Sequence, residues 1–215
     1  MQIALQLDWI PIMLAIIGGI ATCGGLRYFI VTLAREQETV ITSRNVQLAM
    51  YTSLIWNGIY ITIISPDNYS LWLVYAWLCM LLIYIDSLFL LLPRILIWPL
   101  GILGVFYQSV YEHSEFQYIA ISALCSYMAM AFFYYAYWWL VKKPGMGYGD
   151  IRLTVALGIW TGYEYLSYLL MLAAVFAIMY IVAYSIVRKK LLHTCPFGPF
   201  LCMSATLLLT YRSLN

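Results

Sequence analysis

The chain has 215 residues, of which 65% are hydrophobic and only 9% charged, against about 25% charged in a soluble domain. That composition excludes a water-soluble globular domain, while the net charge of +2 says little until its distribution is read. Several apolar runs reach or approach the ~20 residues that cross a bilayer as a helix, and none shows the alternating ten-residue segments of a membrane barrel. Helices satisfy their own backbone groups in lipid. The predicted fold is therefore all-α, a polytopic membrane bundle of about eight helices.

In chain order the first apolar segment covers 10–34. It lacks a basic leader region and Asp8 precedes it, so it is expected to stay in place rather than be removed as a signal peptide. Arg27 lies inside it and is expected to snorkel or to mark an earlier end of the span. A short loop at 35–45 leads to a second segment at 46–65. The third, 71–93, contains Asp86, and a short fourth follows at 95–111. The fifth covers 116–141. A glycine turn, Gly145-Met-Gly-Tyr-Gly-Asp150, opens a short sixth segment at 150–163, and the last two cover 165–187 and 196–212. Gly101, Gly104 and Gly158 would let neighbouring helices approach closely. No linker or internal repeat divides the chain, which reads as one membrane-embedded domain over 1–215.

Alternating the loops places Arg35, Arg44, Arg94, Lys142, Lys143, Arg152, Arg188, Lys189 and Lys190 on one side and only Arg212 on the other. The basic side is cytoplasmic by the positive-inside rule; Asp67, Glu112, Glu115 and Glu164 fall opposite. Lys142 and Lys143 are read as setting topology. The cysteines, Cys23, Cys79, Cys125, Cys195 and Cys202, form no C-x-x-C pair and read as small buried hydrophobes. His193 and Cys195 supply too few ligands for a metal and read as a solvated loop, as does His113. Neither a metal nor a cofactor is expected.

Two of the nine acids carry the chemistry. Asp86 is well inside a span, where a carboxylate costs roughly 2.5–3.5 kcal/mol at the bilayer centre on insertion scales. Counting helical rise to Pro93 places it about 10 Å below the cytoplasmic surface. Asp150 enters from the same side. Taken singly, each has a plainer reading: Asp150 as a helix N-cap, Asp86 as a packed polar group bonded to a neighbouring helix. The glycine turn is neither G-x-G-x-x-G nor a phosphate loop; its glycines would allow a tight bend and close approach of a substrate backbone.

Residues 145–153, Gly-Met-Gly-Tyr-Gly-Asp-Ile-Arg-Leu, resemble the Gly-x-Gly-Asp signature of type IV prepilin peptidases, and Ala-Leu-Gly-Ile-Trp-Thr-Gly at 156–162 continues the likeness. Asp86 through Pro93 resembles that family's first aspartate motif, which ends in Leu-Pro. Pro196-Phe-Gly-Pro-Phe200 resembles its C-terminal segment. Order and spacing agree over roughly 71–205. Arg94 stands where many members have an acid after the proline, Leu88 where many carry a second acid, and Arg152 where lysine is common. The first loop is short and cysteine-free, whereas many bacterial members carry two C-x-x-C pairs there, associated with N-methylation of the product.

The resemblance implies an aspartic endopeptidase with Asp86 and Asp150 as its catalytic pair, and the short cysteine-free loop puts methyltransferase activity in doubt. It implies Gly145, Gly147, Gly149, Arg152, Pro196, Gly198 and Pro199 as candidates for substrate binding. Pro196, Gly198 and Pro199 are expected to interrupt the last span near the cytoplasmic face, or, more plainly, to start a helix with proline in its first turn. The implied partners are prepilin or pseudopilin precursors and the lipid bilayer, with no nucleic acid; the implied location is the bacterial inner membrane, active site towards the cytoplasm. Two other readings compete. One is an intramembrane protease of the presenilin kind, whose Pro-Ala-Leu is replaced here by Pro196-Phe-Gly-Pro. The other is a proton-coupled carrier using the two aspartates as a relay.

Overall fold

The structure is a computed structural model that describes residue 24 and residues 69–142, 146–188 and 195–214. The expected segments at 10–34 and 46–65, the loop at 35–45, and Arg27, Cys23, Lys143, Gly145 and His193 lie outside the described residues. The chain divides into two compact units, 1–81 and 82–215.

Each of the six segments expected within the described residues is an α-helix: α1 Tyr69–Phe89, α2 Arg94–Val110, α3 Phe116–Val141, α4 Tyr148–Thr161, α5 Leu166–Arg188 and α6 Gly198–Leu214, with a 3-10 turn at Tyr163–Tyr165 before α5. No strand occurs among the described residues. Among the described residues three stretches are long and apolar enough to cross a membrane, Leu71–Phe89, Phe116–Val141 and Tyr163–Val187. Large apolar side chains such as Phe132, Trp139 and Leu140 on α3, and Ile178 and Ile186 on α5, are exposed, as they are where a helix faces lipid rather than water. The protein is an all-α membrane bundle.

One boundary differs from expectation. α1 stops at Phe89, not near Pro93, because Leu90 turns to φ 53° and donates its N–H to the Asp86 carbonyl at 2.9 Å. A left-handed residue with that bond is a helix stop, made here by leucine instead of the usual glycine. Asp86 therefore sits in the last turn of α1, about 4.5 Å of helical rise from its end, and the 10 Å reckoned to Pro93 overcounts the helix.

The core of the unit 82–215 is α4, which packs against α2, α3 and α6. From Asp150 to Thr161 only Arg152 and Val155 escape burial. A helix buried on every side belongs inside a bundle, which is why 14 residues suffice. Small residues set the spacing. A Cβ at Gly158 would overlap Ser126 Oγ on α3, and one at Gly104 would come within 2.7 Å of the Trp160 ring. Gly101 is an ordinary contact, 3.7 Å from the Ala156 Cβ.

Several polar side chains at these crossings are hydrogen-bonded. Trp160 Nε1 donates to the Leu100 carbonyl at 2.8 Å, and Gln108, fully buried, donates to the carbonyls of Ile159 and Trp160, each at 3.0 Å. Those carbonyls sit in the last turn of α4, where no intrahelical donor remains. At the same end Arg212, the lone base expected opposite the cytoplasm, pairs with Glu112, which also accepts from the Tyr107 hydroxyl at 2.8 Å.

The spacing yields a prediction. Gly158→Ala forces α3 and α4 apart and lowers stability by about 1–3 kcal/mol, the range for overpacking a filled core, read as a lower unfolding temperature in detergent. Adding Ser126→Ala recovers part of that loss; no recovery would mean that the contact is not what limits the crossing.

Candidate active site

The catalytic candidates are placed by helix ends. Asp86 lies in the last turn of α1, and its Oδ2 accepts the backbone N–H of Gly198, the first residue of α6, at 2.9 Å. Asp150 is the third residue of α4, after the capping residue Gly147. It is not the N-cap itself, so the plainer reading of this residue as a cap does not apply; the N–H of Gly147 reaches back to its carboxyl. Each carboxyl thus meets the amino end of a helix, where unpaired N–H groups and the macrodipole favour negative charge by typically 0.3–1 kcal/mol, up to about 2 in partly buried geometry.

Both side chains are buried, with 4% of Asp86 and 9% of Asp150 exposed. Both line one cavity of about 610 Å³ and are near enough for their charges to interact. The plain alternative for Asp86, a packed polar group bonded to a neighbouring helix, describes its bond to Gly198 but leaves out the cavity it faces.

Gly147, Gly149, Arg152 and Pro196 line the same cavity. Gly198 holds Asp86 instead, and Gly145 is outside the described residues. Pro199 is not among the lining residues; it occupies the first turn of α6. Gly198-Pro199 thus begins a helix rather than interrupting one, while Pro196 and Phe197 precede it as non-helical chain.

The glycines act through space more than through backbone freedom. Gly162 is the only described glycine with positive φ, at 84°, and the expected bend is shorter than its motif because Gly149 is already helical. A Cβ at Gly149 would stand 2.7 Å from the Leu92 Cβ, and one at Gly198 would stand 2.8 Å from Asp86 Oδ2. Both lie below any real Cβ contact, so glycine here lets the chain between α1 and α2 close on α4, and the start of α6 close on Asp86.

Several lining residues were not singled out from the sequence. Ala177 and Ile181 come from α5, Leu92 from the α1–α2 connection, Met146 and Phe197 from the chain before α4 and α6. Each looks like ordinary membrane-helix or loop composition. Cys195, read as part of a solvated loop, is half-buried in the cavity wall. Of the other described cysteines, Cys79 and Cys202 are buried as expected, but Cys125 is exposed. Burial pushes the Cys195 thiol up, with the Asp86 carboxylate adding to the shift.

That last contact is testable. In a chain with its other cysteines replaced, Cys195 is alkylated slowly near neutral pH, because a raised thiol supplies less thiolate. Asp86→Asn removes the nearby charge, lowers the thiol and speeds alkylation. An unchanged rate would put the Asp86 charge out of reach of Cys195.

Residues 73–182, which include both aspartates, match the model of the type IV leader peptidase family. The chain is similar to leader peptidase HopD of Escherichia coli, 35% identical over 131 residues that make up 60% of this chain and 84% of that protein. It is similar to the prepilin leader peptidase/N-methyltransferase of Escherichia coli K12, 30% identical over 121 residues, 56% of this chain and 54% of that protein. A protein of the same name from Aeromonas salmonicida A449 is 27% identical over 180 residues, 82% of this chain and 61% of that protein. The chain thus spans little more than half the length of these two longer relatives. No solved structure matches it.

Proposed function

The chain belongs to the type IV leader peptidase family, and from that membership we propose that it is a membrane aspartic endopeptidase with Asp86 and Asp150 as its catalytic pair. The observation that carries this reading is the cavity shared by two buried carboxylates, each at a helix amino end. Its substrates are prepilin or pseudopilin precursors, whose short basic leader it removes where leader and apolar helix meet. It works in the bacterial inner membrane with the cavity towards the cytoplasm, the side on which Arg94, Lys142 and Arg152 fall.

Two carboxyls in one site share a proton, since like charges in close contact do not both ionise. The ionised member takes a proton from a water, the oxygen of that water attacks the scissile carbonyl, and the protonated member donates a hydrogen bond to the carbonyl oxygen. The tetrahedral intermediate collapses as the amine leaves with a proton from the pair. Each carboxyl accepts a backbone N–H, Asp86 from Gly198 and Asp150 from Gly147, and the two titrate as a unit. Gly147, Gly149, Arg152 and Pro196 line the cavity in which extended substrate backbone lies. The chain acts as a single peptidase domain. Its loop at 35–45 has no cysteine, so the released product is left unmethylated, unlike what the names of the longer relatives state of those proteins.

Co-expression with a prepilin in a host lacking such a peptidase tests this reading. Asp86→Asn and Asp150→Asn each reduce leader removal by at least about 10³-fold, the scale of losing one member of a catalytic unit, while the protein still inserts. Wild-type processing by either variant would end the pair mechanism. Gly198→Ala, whose Cβ displaces Asp86, lowers kcat by roughly tenfold or more without lowering the amount of inserted protein. A full rate in that variant would show that the close approach of α6 is dispensable.

A further inference from the structure

α3 and α5 both pack against the 3-10 turn Tyr163–Tyr165, and an apolar groove of about 1030 Å³ opens between them. Its walls include Met130 and Leu140 from α3 and Met171 and Ala174 from α5, with Tyr163 at the end held by the turn. Met146 and Phe197 line both this groove and the cavity that holds Asp86 and Asp150. The groove and the site described above therefore adjoin at Met146 and Phe197.

Resting on the peptidase reading, we propose that this groove holds the apolar helix of the uncut precursor, entering sideways from the bilayer between α3 and α5. Length fits. From Leu140 to Cys125 on α3 the wall is about 22 Å, or about four helical turns, a large share of the ~30 Å hydrocarbon thickness. Chemistry fits as well. Methionine walls adapt to apolar partners of differing sequence, which an enzyme with several precursor substrates needs.

A second groove meets the cavity and would have to take the helix otherwise. It lies among α2, α3 and α4, has about 360 Å³, and shares with the cavity only Arg94 and Arg152. Two cations at that junction give an apolar helix passing between them nothing to pair with. The junction through Met146 and Phe197 carries no charge.

The chain contains its own ruler for this path. Cys195 lines the cavity, while Cys125 lines the groove towards its Tyr163 end; both are free thiols. Precursors bearing single cysteines are combined in membranes with the full chain carrying Asp150→Asn, which leaves them uncut, and oxidised mildly. Because a disulfide needs Cα atoms within about 7 Å, a cysteine beside the scissile bond is expected to join Cys195. Cysteines about four turns further along, on one face of the substrate helix, are expected to join Cys125, and Cys125→Ala abolishes those bands. Ala174→Trp, which fills the groove from an exposed position, raises KM for the full precursor by roughly tenfold with a smaller effect on kcat.

The same precursors are offered in parallel to the wild-type chain. If it cuts them but no helix position joins Cys125, or if the helix joins cysteines placed at Ile102 or Val105 in the second groove, the docking path is overturned and the peptidase reading stands. If the precursors are neither cut nor crosslinked, both are overturned.

Discussion

The rest of this structure depends on keeping two carboxylates out of water inside an apolar bundle. Burying an ionised carboxylate in a medium of low dielectric is costly unless charge or hydrogen bonds answer it. Here the answer comes from backbone. α6 begins at Asp86, giving it the Gly198 N–H, and α4 begins two residues before Asp150. Oriented N–H groups and helix dipoles supply stabilisation, and among the described residues neither carboxyl is held in an ion pair. On the proposed reading, that leaves the pair free to exchange a proton with a substrate.

This arrangement constrains the packing. Two helix starts meet at one cavity only if α4 is short and central, and a short central helix must be tied at its far end. Gln108 does that by bonding the last carbonyls of α4, and Trp160 does it by bonding the Leu100 carbonyl of α2. The glycines then set the tolerances. Gly158 and Gly104 fix how closely α4 lies against α3 and α2, while Gly149 and Gly198 fix how closely Leu92 and Asp86 approach the cavity. The looser α3–α5 side is where the groove opens. A tight wall around the carboxyls and an open, apolar wall beside them suit a reaction whose substrate arrives within the membrane.

Asp86 and Asp150 stand out in the sequence because a carboxylate in an apolar run is rare, and the structure buries both in one cavity. The helices were legible because apolar runs of membrane length permit little else. The end of α1 was not. Leu90-Leu-Leu-Pro93 continues the apolar composition of the helix, and composition does not register that Leu90 takes positive φ. The glycine motif was legible as special but for an incomplete reason: a bend was expected, and the structure shows close approach to Leu92 and helical conformation at Gly149. Cys195, Ala177 and Ile181 gave no signal because apolar and small residues facing a cavity look the same in sequence as those facing lipid or core. The proposal that the cavity faces the cytoplasm rests on the distribution of arginine and lysine, which only the sequence supplies.

The most direct test of the account is hydrolysis by the purified chain in lipid vesicles, carried out in ¹⁸O-labelled water on a prepilin precursor and read by intact mass. The account predicts two fragments cut at the junction of basic leader and apolar helix. The new carboxyl of the leader carries one ¹⁸O, and the released amino terminus is unmethylated. Intact precursor in the presence of correctly inserted protein would contradict it, as would the same fragments from a chain carrying both Asp86→Asn and Asp150→Asn.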